Sequence, residues 1–517
     1  MKRYYLVFIL SIVAQLVFAQ DSIRQNLGPN INTEYDEIGP IITPDGKTLY
    51  YVIESHPSNT KSNYYNDAED IWYSEKDASG KWGKAKRMSK PFNTRRYNSI
   101  ECISTDGNIV YIRGAYEKGE YTGSGFSYSI KTTTGWSDPQ EMNIQDFSKM
   151  SKGNYSSLWV CPDGKTLIIS FSKYADNKKY TSRTKINDIY VCFKTGPNQW
   201  AAPVPIKSIN TKNYTESTPF VASDNTTLYF SSDRPGGKGD RDIWMSKRLD
   251  DTWLKWSEPV NLDSNINTSG WDAYYTLDAR GEFAYMVSDR SGYGQSDIVR
   301  IKLTASNRPN PVVLISGRVI NAKTNQPVSA RITYQSLKTG KEIGQAISDP
   351  VTGNYKMTLP YGNQYSFSAQ GGNFIPVFNN LDLTTVAEYQ EVKQDLYLVP
   401  VEIGQTVQLN NIFFDVSKST LRQESYAELD RLYLILQNNP VMEIEIDGHT
   451  DNVGDPIINM QLSNDRANAV KDYLLKKGIA PGRIVTKGFG GTKPIVSNDT
   501  EELKKLNRRV EFTILKL

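Results

Sequence analysis

Asp451 and Arg466 lie fifteen residues apart in MEIEIDGHTDNVGDPIINMQLSNDRANAVK, the segment from Met442 to Lys471. A ligand with an ammonium and a carboxylate on one carbon needs an acceptor-only anion beside a forked donor. An aspartate with an arginine provides both. The plainer alternative for the same two residues is an internal salt bridge.

The elements around them read as a strand, a turn and a helix. Met442 to Ile446 alternates apolar and charged residues as a half-buried strand does, and Gly448 ends it. Leu462 and Ser463 read as a staple and an N-cap, after which Ala467, Val470, Tyr473 and Leu474 recur at helical spacing and face a core. On that reading Arg466 falls in a first helical turn. A cation there opposes the helix dipole, so recognition rather than helix stability explains it.

Four ordered motifs surround the pair. They are Ile412-Phe413-Phe414-Asp415, Gly448-His449-Thr450-Asp451-Asn452, Asn459-x-x-Leu462-Ser463-x-x-Arg466-Ala467 and Asn507-Arg508-Arg509-Val510. Through them residues 408–517 resemble the OmpA-like peptidoglycan-binding domain. The resemblance implies that Asp451 and Arg466 grip the amino and carboxylate groups of diaminopimelate in the peptidoglycan stem peptide. It also implies support from Gly448, Thr450, Asn452, Asn459, Leu462 and Ser463, with Arg509 shaping the pocket.

A chain of 517 residues is too long for one core and calls for several domains. With 60 Lys and Arg against 57 Asp and Glu, the net charge of +3 gives no field that recommends nucleic acid. The two histidines, His56 and His449, and three scattered cysteines make no zinc ligand set, and no metal or other cofactor is expected. Met1 to Ala19 has Lys2 and Arg3, an apolar run and Val17-Phe18-Ala19, the pattern of a secretory signal peptide cleaved after Ala19. The run is shorter than the ~20 residues of a membrane span. With no cysteine at the cleavage site, a lipoprotein is not expected. Cys102, Cys161 and Cys192 are odd in number and read as buried thiols.

From Glu34 to Leu303 the chain repeats at intervals of roughly 60 residues. The fourth copy runs Glu216 to Asp224, Thr227 to Arg234, Asp242-Ile-Trp-Met-Ser246 and Trp256-Ser-Glu-Pro-Val260, four short strands with turns between them. Asp45-Gly46, Asp106-Gly107 and Asp163-Gly164 mark the other copies. The fifth ends at Asp297-Ile-Val299, short of its last strand. Asn26 to Thr33 matches Asn261 to Thr268, so the N-terminal segment is placed to donate that strand and close a ring. The repeats resemble the WD40-like β-propeller repeats of the TolB family. Five blades are counted, with a divergent sixth as the alternative. The glycine-rich Asp233 to Asp240 loop lacks a strand-then-helix setting and reads as a turn, not a phosphate site.

Thr304 to Pro311, carrying Pro309 and Pro311, reads as a linker. Residues 313–400 hold short strands at Ser316–Ile320, Gln326–Ile332, Gly353–Met357 and Tyr365–Ser368 and predict a small β-sandwich. They resemble the carboxypeptidase regulatory-like domain. The fold class expected is therefore multidomain and mainly β: a signal peptide at 1–19, a propeller at 20–303, a sandwich at 313–400 and an α/β sandwich at 401–517. In the last, the helix near Glu424 to Gln437 turns Leu429, Leu432 and Leu436 inward.

These readings favour a non-enzymatic periplasmic protein, associated with the outer membrane and cell wall of a Gram-negative bacterium, that binds peptidoglycan and holds an unidentified envelope protein on its propeller. The domain order resembles proteins that tether the type IX secretion machinery to the wall. A Tol-Pal-like role is the alternative. A propeller hydrolase is disfavoured because no Gly-x-Ser-x-Gly elbow and no His beside a Ser or Cys nucleophile is present. A membrane barrel would need alternating segments of about ten residues, longer than the strands here.

Overall fold

Alternating apolar residues and closely spaced turns make the chain mainly β, in several units. The computed structural model describes residues 24–517 apart from 61–67, 175–185, 289–292, 295 and 416. Met1 to Ala19 lies outside the described residues.

Among the described residues, five sheets of four to six strands are formed between Arg24 and Lys302, antiparallel except where Asn143–Ile144 runs parallel to Gln199–Trp200. Their first strands are Asp36–Ile42, Ile100–Ile103, Ser156–Val160, Glu216–Val221 and Ala273–Leu277. Each neighbours the next, and the last returns to the first. The apolar side chains of successive sheets interlock; Trp159 meets Phe220 edge to face at 4.6 Å and Tyr229 meets Tyr275 at 4.8 Å. Arg24–Asn26 pairs antiparallel with Val299–Ile301, so the N-terminal segment supplies the outer strand of the sheet that contains Ala273–Leu277. The register repeats that of an internal sheet: Asn26 opposes Val299 as Asn261 opposes Trp244.

A side-chain device unrecognised in the sequence secures four of these sheets. The amides of Asn32, Asn93, Asn210 and Asn267 each accept from the backbone N–H, and donate to the backbone C=O, of Ile298, Ile71, Ile189 and Ile243 respectively. Each amide thereby does the work of a backbone group beside the third strand of its sheet. The Asp233 to Asp240 loop folds back on its own chain, with Lys238 and Gly239 N–H donating to the Asp242 carboxylate. Cys102, Cys161 and Cys192 are buried and unpaired.

Two further sheets pack face to face over Val313, Ile315, Ile332, Met357, Phe367 and Leu398. The strand expected over Gln326–Ile332 instead covers Arg331–Ser336; Pro327 makes a single bridge to Ile320 because proline has no N–H for a ladder. This sandwich sits on the turns of the five-sheet ring. Asp45 pairs with Lys356, Asp106 accepts from Ile347 N–H at 2.7 Å, and Lys131 pairs with Asp349 at 2.6 Å. The segment expected as a linker is tied down too: Asn310 N–H donates to Asp224 at 2.8 Å and Asn307 Nδ2 to Asp263 at 2.7 Å.

The C-terminal unit alternates strand and helix: Thr406–Leu409, Tyr426–Asn438, Glu443–Gly448, Pro456–Lys476, Ile484–Gly488, Glu501–Asn507 and Val510–Lys516. Glu443–Gly448 runs parallel to Ile484–Gly488 and antiparallel to Val510–Lys516, which also carries Thr406–Leu409. Leu429, Leu432 and Leu436 meet Ala467, Val470 and Leu474 against this sheet, as their spacing predicts.

Candidate functional site

Gly448 ends the central strand against the long helix, where a Cβ would run into the Ser463 carbonyl; this close approach requires glycine. The chain then enters the His449 to Val453 turn. His449 N–H donates to Arg509 O and Thr450 N–H to Gly490 O, both at 2.9 Å, so the turn is clamped from two sides. Ser463 Oγ accepts from Gly490 N–H at 2.9 Å and donates to Met460 O at 2.8 Å.

Ser463 is not an N-cap and Arg466 is not in a first turn, contrary to the sequence pattern. The helix begins at Pro456, and Asp455 caps it by accepting from Ile457 and Ile458 N–H. Arg466 lies in the middle of 21 helical residues, where the helix dipole gives no reason for or against a cation. The exposed Ile457 and Ile458 break the inward stripe, so the sequence pattern starts about two turns late. Leu462 is half-buried within the helix rather than before it.

Asp451 is 8% exposed at the turn. Its Oδ2 accepts from Arg508 Nη1 at 2.7 Å and its Oδ1 from Val453 N–H at 3.0 Å. Burial pushes its carboxyl up, but the Arg508 and Val453 hydrogen bonds outweigh it and hold the group below the usual aspartate range. The internal Asp451–Arg466 salt bridge is therefore not the arrangement found. Arg466 Nε donates to Lys418 O at 3.1 Å, and the guanidinium lies over the Phe414 ring at 4.9 Å. Its Nη groups have no hydrogen-bond partner among the described residues. Burial and then Arg508 lower its pKa, with Asp451 acting oppositely, which places the three charges in one locality.

The remaining predicted residues frame this locality. Asn459 Nδ2 closes the loop by donating to Val453 O at 2.8 Å, and Asn452 is exposed beside it. Thr450 Oγ1 donates to Asp451 O at 2.9 Å. Arg509 turns away, its Nε donating to Glu511 at 2.8 Å behind the stacked His449 and Phe489 rings. Arg508 and Phe414 are the two residues whose roles were missed, although both stand in the quoted motifs. Among the described residues no group of His, Cys, Asp and Glu is placed to hold a metal ion, and no helix is long and apolar enough to cross a membrane.

Residues 413–508 match the OmpA family, and the C-terminal unit is an OmpA family domain. The chain is similar to outer membrane protein A of Bordetella avium, 42% identical over 117 residues, which are 22% of this chain and 60% of that protein. It is also similar to the peptidoglycan-binding protein ArfA of Mycobacterium bovis, 40% identical over 103 residues, 20% of this chain and 32% of that one. The chain thus spans less than two thirds of the length of these relatives. Among solved structures it is similar to the cell wall anchor of the T6SS from Pseudomonas aeruginosa, with 28% identity and a TM-score of 0.20, over 22% of this chain and 80% of that one.

Proposed function

We propose that the protein anchors an envelope assembly to the cell wall, with Asp451 and Arg466 gripping the diaminopimelate of the peptidoglycan stem peptide. The carrying observation is that the Arg466 Nη groups have no hydrogen-bond partner among the described residues, while the ionised Asp451, whose charge acts on Arg466, is held in place by another residue, Arg508. The Asp451 oxygens keep lone pairs for an ammonium, and the planar Arg466 fork suits a carboxylate. Relatives described as outer membrane and peptidoglycan-binding proteins support the same reading. On it the Met1–Ala19 segment exports the chain, which acts without catalysis in the periplasm. The five-sheet ring is a TolB-type propeller that holds a protein partner, either of a type IX-like secretion assembly or of a Tol-Pal-like system. In-cell crosslinking from the ring separates those two partners.

Co-sedimentation of the full chain with purified sacculi tests the anchor. Asp451→Ala and Arg466→Ala are each expected to abolish pelleting with circular dichroism unchanged, since removing one charge of a desolvated pair costs on the order of 2 to 5 kcal/mol. Pelleting of both variants like the unaltered protein would sink the assignment.

A further inference from the structure

Between the sandwich and the OmpA family domain lies a cleft of about 910 Å³ that the stem-peptide reading leaves unused. Its floor is polar and buried, formed by Ser336, Ser366, Asn411 and Glu428. Arg431 ties the floor to both units, Nη1 donating to Glu428 Oε2 at 3.3 Å and Nη2 to Gln335 Oε1 at 3.2 Å. Asn411 Nδ2 reaches Glu428 at 3.5 Å and its Oδ1 accepts from Asn380 Nδ2. Burial pushes the Glu428 carboxyl up to about 7, against the pull of Arg431 and Asn411. At the rim stand the exposed amides of Asn363 and Gln364.

Arg422 pairs with Glu424 and Arg431 with Glu428, and Lys338 adds a further positive charge at the lining. What remains is a set of planar amides and hydroxyls, each able to donate and accept, with one aromatic face from Phe413. That lining suits a neutral ligand rich in hydroxyl and amide groups, and the cleft is large enough for a disaccharide. It also shares a wall with the Asp451 and Arg466 site. Phe413 lines the cleft, while the next residue, Phe414, lies under the Arg466 guanidinium. In the wall polymer the stem peptide hangs from an N-acetylated sugar, so a peptide held on one side of Phe413-Phe414 brings its glycan to the other.

We infer that this cleft binds the N-acetylated glycan strand of the polymer whose stem peptide is taken by Asp451 and Arg466, an inference that rests on that reading. The test gives the full chain two separate probes by calorimetry: N-acetylglucosamine–N-acetylmuramic acid strands stripped of stem peptide by an amidase and then capped at the freed lactyl carboxyls as neutral methylamides, and a soluble diaminopimelate tripeptide. The unaltered protein is expected to bind both. The Asn363→Ala, Gln364→Ala double variant, altered only at exposed rim positions, is expected to bind the stripped strands at least tenfold more weakly with tripeptide binding unchanged. Asp451→Ala is expected to do the reverse. Stripped strands that fail to bind, or that bind the double variant equally well, would overturn the glycan inference. Failure of the tripeptide to bind the unaltered chain would overturn the stem-peptide reading instead.

Discussion

The Asp451 carboxylate is held at 2.7 Å by Arg508, the residue that leaves the last helix, and not by Arg466, which stands in the middle of the long helix. One arginine fixes the anion, while the Nη groups of the other have no hydrogen-bond partner among the described residues. Arg508 divides its fork, its Nη2 reaching Glu501 at 2.7 Å.

Arg508→Ala should therefore weaken wall binding without abolishing it, because Val453 N–H still orients the carboxylate. It should also change the pH dependence. The Asp451 pKa is depressed in the folded protein, so its charge persists as pH falls and is lost only below the ordinary aspartate range. Without Arg508 the carboxyl rises, and binding should fail at a higher pH during acid titration. Co-sedimentation profiles of the two proteins that superimpose after scaling would show that Arg508 does not set this titration.

Arg466→Lys keeps the charge and removes the planar fork and its packing on Phe414. The expected result is at least a tenfold loss of affinity for the diaminopimelate tripeptide, with an unchanged melting transition. Calorimetry reads it directly, and a lysine variant that binds equally well would mean that a point charge suffices.

Much of the C-terminal domain was legible because its core residues recur at fixed periods: Leu429, Leu432 and Leu436 on one helix, Ala467, Val470 and Leu474 on the other. The helix start was not, since Ile457 at 81% exposure and Ile458 at 66% contribute no inward stripe. The cap then rests on Asp455-Pro456 alone. The partner of Asp451 was hidden for a different reason. Arg508 and Arg509 are adjacent and chemically equal, and only the register of Val510–Lys516 sends Arg509 to Glu511 and leaves Arg508 for the turn.

Asp447 gives a prediction about stability. Burial, then Glu445 and Glu511, push its carboxyl up to about 6, and its Oδ1 is buried without a hydrogen-bond partner among the described residues. A carboxyl raised in the folded state favours folding when protonated, so its charged form destabilises above pH 6 and the penalty fades as pH falls toward the usual aspartate range. Asp447→Asn should stabilise the protein by on the order of 1 to 3 kcal/mol at pH 7.5. The gain should vanish below about pH 4. Denaturant melts at the two pH values measure the difference, and an equal gain at both would assign it to packing rather than charge.

Closure of the five-sheet ring gives the last prediction. Asn32 is 1% exposed, and its amide bonds Ile298 N–H and C=O at 2.9 Å each and Asn26 Oδ1 at 2.8 Å. Asn267 makes the same pair of bonds to Ile243, but within a sheet whose strands are contiguous in sequence. Replacing either by alanine orphans a buried N–H and C=O and should cost about 1 to 3 kcal/mol. The consequences should differ. Asn32→Ala loosens a strand that comes from the opposite end of the chain to its sheet partners, so Arg24–Asn26 should become accessible to protease while Asn267→Ala leaves that segment protected. Deleting Arg24 to Thr33 should go further, exposing the edge of Asp297–Lys302 and lowering Tm with aggregation, while sacculus binding persists. A melting curve unchanged by the deletion would show that the N-terminal strand decorates a ring that is already stable without it.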